Sequence, residues 1–222
     1  VNAVWLHSHG KRYPYIRSVY RSARIALPLL KKIAVKGMPL LFNEALWSAS
    51  VAVLNQCYST RGLTVVAANN IASTLWNLFS VCFISLGSAT GIIIGQMLGA
   101  GKPADEVRDC DRKLIAFSVT SCAVFGIAMA AVSGGFPLIY KTDNSVRSLA
   151  TAFICINAVI MPFNAYANAA YFTLRSGGKT LSTLLFDSCF VWVVSVPVAY
   201  TLSRFTGIAI LPLYAVCQSA EI

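Results

Sequence analysis

The sequence predicts an all-α protein, a polytopic bundle of transmembrane helices with about six spans. No Asp, Glu, Lys or Arg occurs in residues 62–101, 114–140 or 148–174, and each run exceeds the roughly 20 residues that cross a bilayer as a helix. Hydrophobic residues make up 57% of the chain and charged residues 12%, as is typical of a membrane protein. Because the runs are continuous and do not alternate over about ten residues, they favour helices over barrel strands.

The predicted spans follow one another with short polar connections. The first contains Glu44 and the fifth contains Asp187, the two acids that interrupt apolar runs. The sixth is shorter than the others and is either an incomplete span or a marginal one. Residues 1–9 are predicted to end a preceding helix, so we expect the chain to begin inside a larger membrane protein. In order, the spans are predicted at about 37–59, 68–98, 114–140, 148–174, 180–203 and 205–220.

The positive charge is concentrated on one side of the predicted spans. Of the 18 Lys and Arg residues, 14 lie before the first span, in the loop 99–113 or in the loop 175–179. The positive-inside rule places these segments in the cytoplasm of a multi-pass plasma-membrane protein. A topological role explains the net charge of +10 without a nucleic-acid partner. The basic segment 10–36 is either an interfacial helix on anionic lipid or a solvated linker, and the sequence leaves both open.

Residues that support chemistry are sparse in this chain. The seven cysteines show no C-x-x-C spacing, and the six within apolar runs are expected to behave as small hydrophobic residues. The predicted spans contain no His, and the chain has no Walker loop, dinucleotide fingerprint or H-E-x-x-H motif. We therefore predict that it is not an enzyme, and we expect no metal site or cofactor.

Polar residues inside the spans are the candidates for function. Glu44 comes first, because an ionised carboxylate at the middle of a bilayer costs about 3 kcal/mol or more. Asp187 lies near a helix end and could instead reach interfacial water or pair with Lys179 or Arg175. Polar faces on the second and fourth spans are expected to form interhelical hydrogen bonds or to line a water-filled cavity. Helical spacing forms these faces from Asn70, Ser73 and Asn77, and from Asn157, Asn164, Asn168 and Tyr171.

Several motifs resemble those of the multidrug and toxic compound extrusion (MATE) family of transporters. The motif at Lys36 reads K-G-M-P-L-L-F-N-E-A-L-W-S, and the motif at Ala67 reads A-A-N-N-I-A-S-T-L-W-N-L-F. The motif at Gly87 reads G-S-A-T-G-I-I-I-G-Q-M-L-G-A-G-K. The motif at Pro162 reads P-F-N-A-Y-A-N-A-A-Y-F-T-L-R-S-G-G-K-T, and it is followed by D-S-C-F-V-W-V-V-S-V-P-V-A-Y. The resemblance covers nearly the whole chain, from about Ile25 onward.

The resemblance implies a transporter of two pseudo-symmetric six-helix lobes. This chain would supply the C-terminal lobe, residues 37–222, joined to the N-terminal lobe of the same protein by the basic linker 10–36. The family exports cationic or amphipathic small molecules in exchange for Na⁺ or H⁺. By motif, Glu44 matches an acid that members use to bind the coupling ion or proton. Asn164 falls where some sodium-coupled members carry a second acid, so the coupling ion stays open.

The expected mechanism is alternating access with mutual exclusion at a carboxylate. Substrate and coupling ion would compete through the charge of Glu44, with Asp187 as a second coupling candidate. Two alternatives stay open, a flippase of related fold for a lipid-linked or anionic substrate and a non-transporting membrane subunit. The residues predicted to line the substrate cavity are Trp47, Asn70, Asn77, Asn164, Asn168 and Tyr171.

Overall fold

The computed structural model describes residues 27–178 and 180–220, together with Trp5 and Ser8. The predicted helix end within 1–9 and most of the predicted linker 10–36 lie outside the described residues. The side chains outside the description, within helices that are otherwise described, are those of Lys36, Thr180, Leu181, Phe186 and Asp187.

Helices form almost the whole of the described chain. Helix α1 is Leu27–Ser59, α2 is Leu63–Gly99, α3 is Ala104–Val132 and α4 is Asn144–Ser176. A short 3-10 helix, Phe136–Ile139, lies between α3 and α4. The remaining elements are α5, Thr180–Leu184, two π-helical runs, Leu185–Cys189 and Val191–Ser195, then α6, Val196–Phe205, and α7, Ile210–Ser219.

The all-α membrane fold expected from the sequence is confirmed. Within the described residues there is no strand, and helices α1 to α4 are each long and apolar enough to cross a membrane. Two shorter apolar helical segments follow, Val191–Phe205 and Ile210–Ser219. The part of α1 before Leu40 belongs to a separate compact unit, so the bundle described below is the unit from Leu40 onward.

Several helix ends differ from those of the predicted spans. Within the described residues, helix α1 extends back to Leu27, before the predicted start of the first span at residue 37. Helix α3 ends at Val132, well before Tyr140. The sequence Gly134-Gly135-Phe136-Pro137 explains this early end, because glycines and proline terminate helices.

The core of the bundle surrounds the middle of α4. Phe153 is fully buried, and its ring stacks on that of Tyr214 with the ring centroids 4.1 Å apart. The Tyr214 ring also lies 5.4 Å from the Tyr58 ring, and its hydroxyl donates to Asn157 Oδ1 at 3.1 Å. Helices α1, α4 and α7 are therefore joined through one aromatic group with a satisfied polar end.

Glycines allow α2 and α3 to pack closely on α4. A β-carbon built at Gly87 would lie 2.8 Å from Phe172 Cδ2, and one at Gly91 would lie 3.1 Å from the Phe172 carbonyl oxygen. On α3, a β-carbon at Gly126 would lie 2.7 Å from the Ala158 carbonyl oxygen. Small residues permit such close backbone approach in membranes, where packing has to replace the hydrophobic driving force.

The fifth helical segment, residues 180–205, is irregular. Its helix changes from α to π twice before Pro197, which lies in the first turn of α6. Proline cannot donate a backbone hydrogen bond, and changes in helical winding are one way in which a transmembrane helix adapts to that loss. By contrast, α4 continues through Pro162 without a break.

Candidate functional site

Glu44 lies on an exposed face of α1. Its neighbours Ala45 and Ser48 are exposed, and Trp47 is 50% exposed. The carboxylate is therefore not enclosed by the part of the bundle that the structure describes. Because a charged group at membrane depth requires water or a counter-charge, an exposed acid within an apolar helix is a site where a cation could bind.

Asn43, the residue before Glu44, is buried with 2% of its surface exposed. The Ser188 hydroxyl donates to Asn43 Oδ1 at 2.7 Å and to the Asn43 carbonyl oxygen at 2.9 Å. Asn43 Nδ2 in turn donates to the Tyr171 hydroxyl at 3.3 Å. We call Asn43, Tyr171 and Ser188 the Asn43 cluster. It connects α1, α4 and the fifth segment, and its hydrogen bonds meet the requirement that a buried amide be satisfied.

A second hydrogen bond joins α1 to the fifth segment. Trp192 Nε1 donates to the Leu46 carbonyl oxygen at 2.9 Å. Along α1 the two contacts fall at Asn43 and Leu46, and along the fifth segment they fall at Ser188 and Trp192. Both positions advance in the same direction of the chain, so the two helices run parallel and are held together over about one helical turn.

Asp187 lies in the first π-helical run, directly before Ser188. Its side chain is outside the description, so its predicted pairing with Lys179 or Arg175 stays a prediction. Single π-helical turns are rare and occur frequently at functional sites. The π-helical backbone at Asp187 is thus a second reason to consider this residue functional, besides its charge within an apolar run.

The amides predicted to line the cavity differ in their surroundings. Asn70 and Asn77 are exposed on α2. Asn164 and Asn168 are half-buried on α4, where Asn164 Nδ2 donates to the Ile160 carbonyl at 3.5 Å and Asn168 Nδ2 donates to the Asn164 carbonyl at 3.1 Å. These four side chains are not joined into one hydrogen-bonded network within the described residues. Of the predicted cavity residues, Tyr171 is the one in hydrogen-bond contact with a neighbour of Glu44.

Asn43, Ser188 and Trp192 were not among the residues predicted from the sequence. A weak signal was present, because Asn43 precedes Glu44 and Ser188 follows Asp187, so each acid has a polar neighbour. Helical spacing assigned faces to the acids but could not pair residues that are 145 positions apart. Asn157, which spacing had grouped with Asn164, contacts Tyr214 in the core and is 3% exposed.

Within the described residues, no group of three or more His, Cys, Asp or Glu side chains is arranged to hold a metal ion. The seven cysteines are free thiols, of which Cys57, Cys122 and Cys217 are buried.

The two glycine-rich motifs form turns after long membrane helices. Gly101, after α2, has φ of +67°, and Gly178, after α4, has φ of +78°. Residues with a β-carbon rarely adopt these angles, which explains the glycine at each position. Near the second turn, the Thr173 hydroxyl donates to Asp111 Oδ1 at 2.7 Å, which joins α4 to α3.

Comparison with known proteins identifies the family of this chain. The sequence model of the MatE family matches residues 39–201, most of the chain. The chain belongs to the MatE family. The matched range contains Glu44, Asp187, the Asn43 cluster and all the predicted cavity residues.

Three relatives of this MatE chain are named as multidrug resistance proteins. It is 26% identical over 204 residues to the multidrug resistance protein MdtK of Edwardsiella ictaluri, covering 89% of this chain and 44% of the relative. It is 27% identical to the probable multidrug resistance protein NorM of Mannheimia succiniciproducens, covering 79% of this chain and 37% of the relative. The NorM protein of Pasteurella multocida is 29% identical, with 79% and 38% covered. The chain thus spans less than half the length of these relatives.

Proposed function

We propose that this chain forms the C-terminal lobe of a multidrug efflux antiporter in the plasma membrane. The substrates would be cationic or amphipathic small molecules, exchanged for Na⁺ or H⁺. Membership of the MatE family and the names of the relatives support efflux as the activity. The observation that carries the proposal is the exposed carboxylate of Glu44 on an apolar membrane helix.

Glu44 would couple the two fluxes by binding one positive charge at a time. When it is ionised, its charge attracts a cationic substrate into the cavity between the lobes. When a proton or a sodium ion neutralises it, that attraction is lost and the substrate is released outward. Because both ligands interact with the same charge, each lowers the affinity for the other, as thermodynamic linkage requires.

The remaining candidate residues would shape the cavity around this charge. Trp47 is half-exposed close to Glu44 and could present its ring face to a cation. Asn70 and Asn77 are exposed amides that could accept or donate hydrogen bonds to varied substrates. Asn164, Asn168 and Tyr171 on α4 would contribute from the side of the Asn43 cluster, and Asp187 would supply a second negative charge.

The test is efflux of a fluorescent cation from vesicles that contain the full-length protein. Sodium and proton gradients are imposed separately on the wild type, on Glu44→Gln and on Glu106→Gln. Glutamine keeps the size of the side chain and removes its charge. Glu106 is the matched control, because its carboxylate forms an exposed ion pair with Lys102 at 3.1 Å, outside the apolar runs.

We expect one gradient to drive efflux in the wild type and in Glu106→Gln, and the gradient-driven component to be lost in Glu44→Gln. Efflux that persists in Glu44→Gln would remove Glu44 from the coupling step. The absence of efflux under both gradients in the wild type would contradict the antiporter assignment. Movement of a labelled lipid in those same vesicles would then favour a flippase, and no transport at all would favour a non-transporting subunit.

A further inference from the structure

We infer that Asn43 is a positioning residue, which holds α1 so that the Glu44 carboxylate faces the open side of the helix. The inference rests on the proposed role of Glu44 in ion coupling. It adds that the efficiency of coupling depends on the hydrogen bonds between α1 and the π-helical part of the fifth segment. Nothing in the family membership or in the names of the relatives assigns this role.

The contacts with the fifth segment fix the rotation of α1 about its own axis. Asn43 and Leu46 both contact the fifth segment, through Ser188 and Trp192 respectively. Since successive residues in an α-helix are about 100° apart, Glu44 lies roughly 130° around the helix from the middle of this contact face. The two hydrogen bonds therefore turn Glu44 away from the fifth segment, which agrees with its exposure.

The same contacts fix the positions of the two helices along their common direction. Asn43 and Ser188 are hydrogen-bonded partners in two parallel helices, and each is directly next to an acid in the sequence. With a rise of about 1.5 Å per residue, the backbones at Glu44 and Asp187 differ in depth by roughly 3 Å. The contact thus brings the two acid-bearing positions to one level of the bundle.

The contact between Asn43 and Ser188 is buried. Ser188 has no exposed surface, and Asn43 accepts its hydroxyl through both the side chain and the backbone. Tyr171 extends the contact to α4. Water does not compete well for such buried groups, so the loss of the Asn43 side chain deprives the buried Ser188 hydroxyl of its side-chain acceptor, and the loss of Ser188 removes its two hydrogen bonds to α1. Rotation of α1 would be less restricted after that loss, and Glu44 would spend less time in its binding orientation.

The test uses the efflux assay with the ion gradient that drives the wild type. The concentration of coupling ion that gives half-maximal efflux is measured for Asn43→Ala, Ser188→Ala and the double variant. Loss of a buried hydrogen bond predicts an increase of about three- to tenfold in that concentration for each single variant. The double variant should resemble the single variants, because both substitutions remove the same contact.

Asn157→Ala is the matched control. Asn157 is as buried as Asn43 and also accepts a hydroxyl hydrogen bond, but from Tyr214 in the aromatic core. This variant should lower the amount of folded protein without changing the half-maximal ion concentration. If Asn43→Ala does not reach the membrane, the half-maximal ion concentration of Ser188→Ala tests the positioning role instead. That substitution removes a single hydroxyl group and so disturbs the packing less.

The outcomes separate this inference from the proposed function. If Glu44→Gln abolishes gradient-driven efflux while Ser188→Ala changes the half-maximal ion concentration less than twofold, coupling at Glu44 stands and the positioning role of Asn43 is wrong. A shift of equal size in Asn157→Ala would also overturn the positioning role, because the effect would then be one of general stability. If efflux is coupled to neither gradient in the wild type, it is the proposed function that fails.

Discussion

Substitution of Gly126 by alanine should force α3 and α4 apart. The added β-carbon would lie 2.7 Å from the carbonyl oxygen of Ala158, whereas ordinary contacts of this kind are about 3.3–3.6 Å long. The oxygen belongs to the backbone and cannot rotate away as a side chain would. Position 162 is proline, so its nitrogen cannot donate to this carbonyl as the fourth residue onward in a helix normally does. Gly126 therefore packs against the Ala158 carbonyl oxygen, which lacks the backbone donor that it would normally have within its own helix.

The magnitude follows from comparison with Gly95→Ala. A β-carbon at Gly95 would lie 3.5 Å from Ser176 Cβ, which is an ordinary contact. Both substitutions gain about 1 kcal/mol of helix propensity, so the difference between them isolates the packing effect. Overpacking costs about 1–3 kcal/mol, and Gly126→Ala should be less stable than Gly95→Ala by that amount. Its melting midpoint should accordingly lie below that of Gly95→Ala.

The assay follows thermal unfolding of the purified full-length protein in detergent with a thiol-reactive fluorescent dye. Cys57, Cys122 and Cys217 are buried and become reactive as the bundle opens. Because Cys122 is one helical turn from Gly126, loss of the monodisperse peak on size-exclusion chromatography after heating provides an independent readout. A melting midpoint for Gly126→Ala equal to or above that of Gly95→Ala would refute the argument from close packing.

Two further substitutions test hydrogen bonds at other places in the bundle. Tyr214→Phe keeps the stacked ring but removes the donor to Asn157 Oδ1, so it should cost about 1 kcal/mol in thermal unfolding; an unchanged midpoint would mean that the bond adds no net stability. Arg61→Met removes the Nη2 donor to the carbonyls of Leu202 and Thr206, at 3.1 and 2.7 Å, which lie at the end of α6. A cation that binds the last carbonyls of a helix contributes about 1–2 kcal/mol, so backbone amides near residue 205 should exchange hydrogen roughly tenfold faster; exchange at the wild-type rate would contradict this.

The membrane fold was predictable because its main signal is local. A helix satisfies its own backbone within a continuous segment, so the length and polarity of each run suffice to identify it. Four long membrane helices were found where such runs were predicted. Helix ends were less accurate, as at Val132, since the glycine pair and proline that follow are uncharged and so did not end the run by its charge pattern.

The candidate site was predictable only in part. Glu44 and Asp187 could be chosen because a charge in an apolar run is costly wherever the helix packs. The partners of Asn43 could not be chosen, because a serine or a tyrosine in a membrane helix has many places where it can bond. For the same reason, spacing alone could not tell which amides of the predicted polar faces would be buried. Asn157 is buried against Tyr214, while Asn70 and Asn77 are exposed.

The sequence by itself determined that this chain is a helical membrane protein, which family it resembles, and which acids interrupt its apolar runs. These properties follow from the free energy of moving each residue from water into hydrocarbon, which depends little on distant residues. The tertiary structure decided which helices touch, that Gly87, Gly91 and Gly126 are the close contacts, and that Asn43 and Ser188 join the two acid-bearing segments. Such pairings depend on packing between residues far apart in the chain, where many arrangements satisfy the same local pattern.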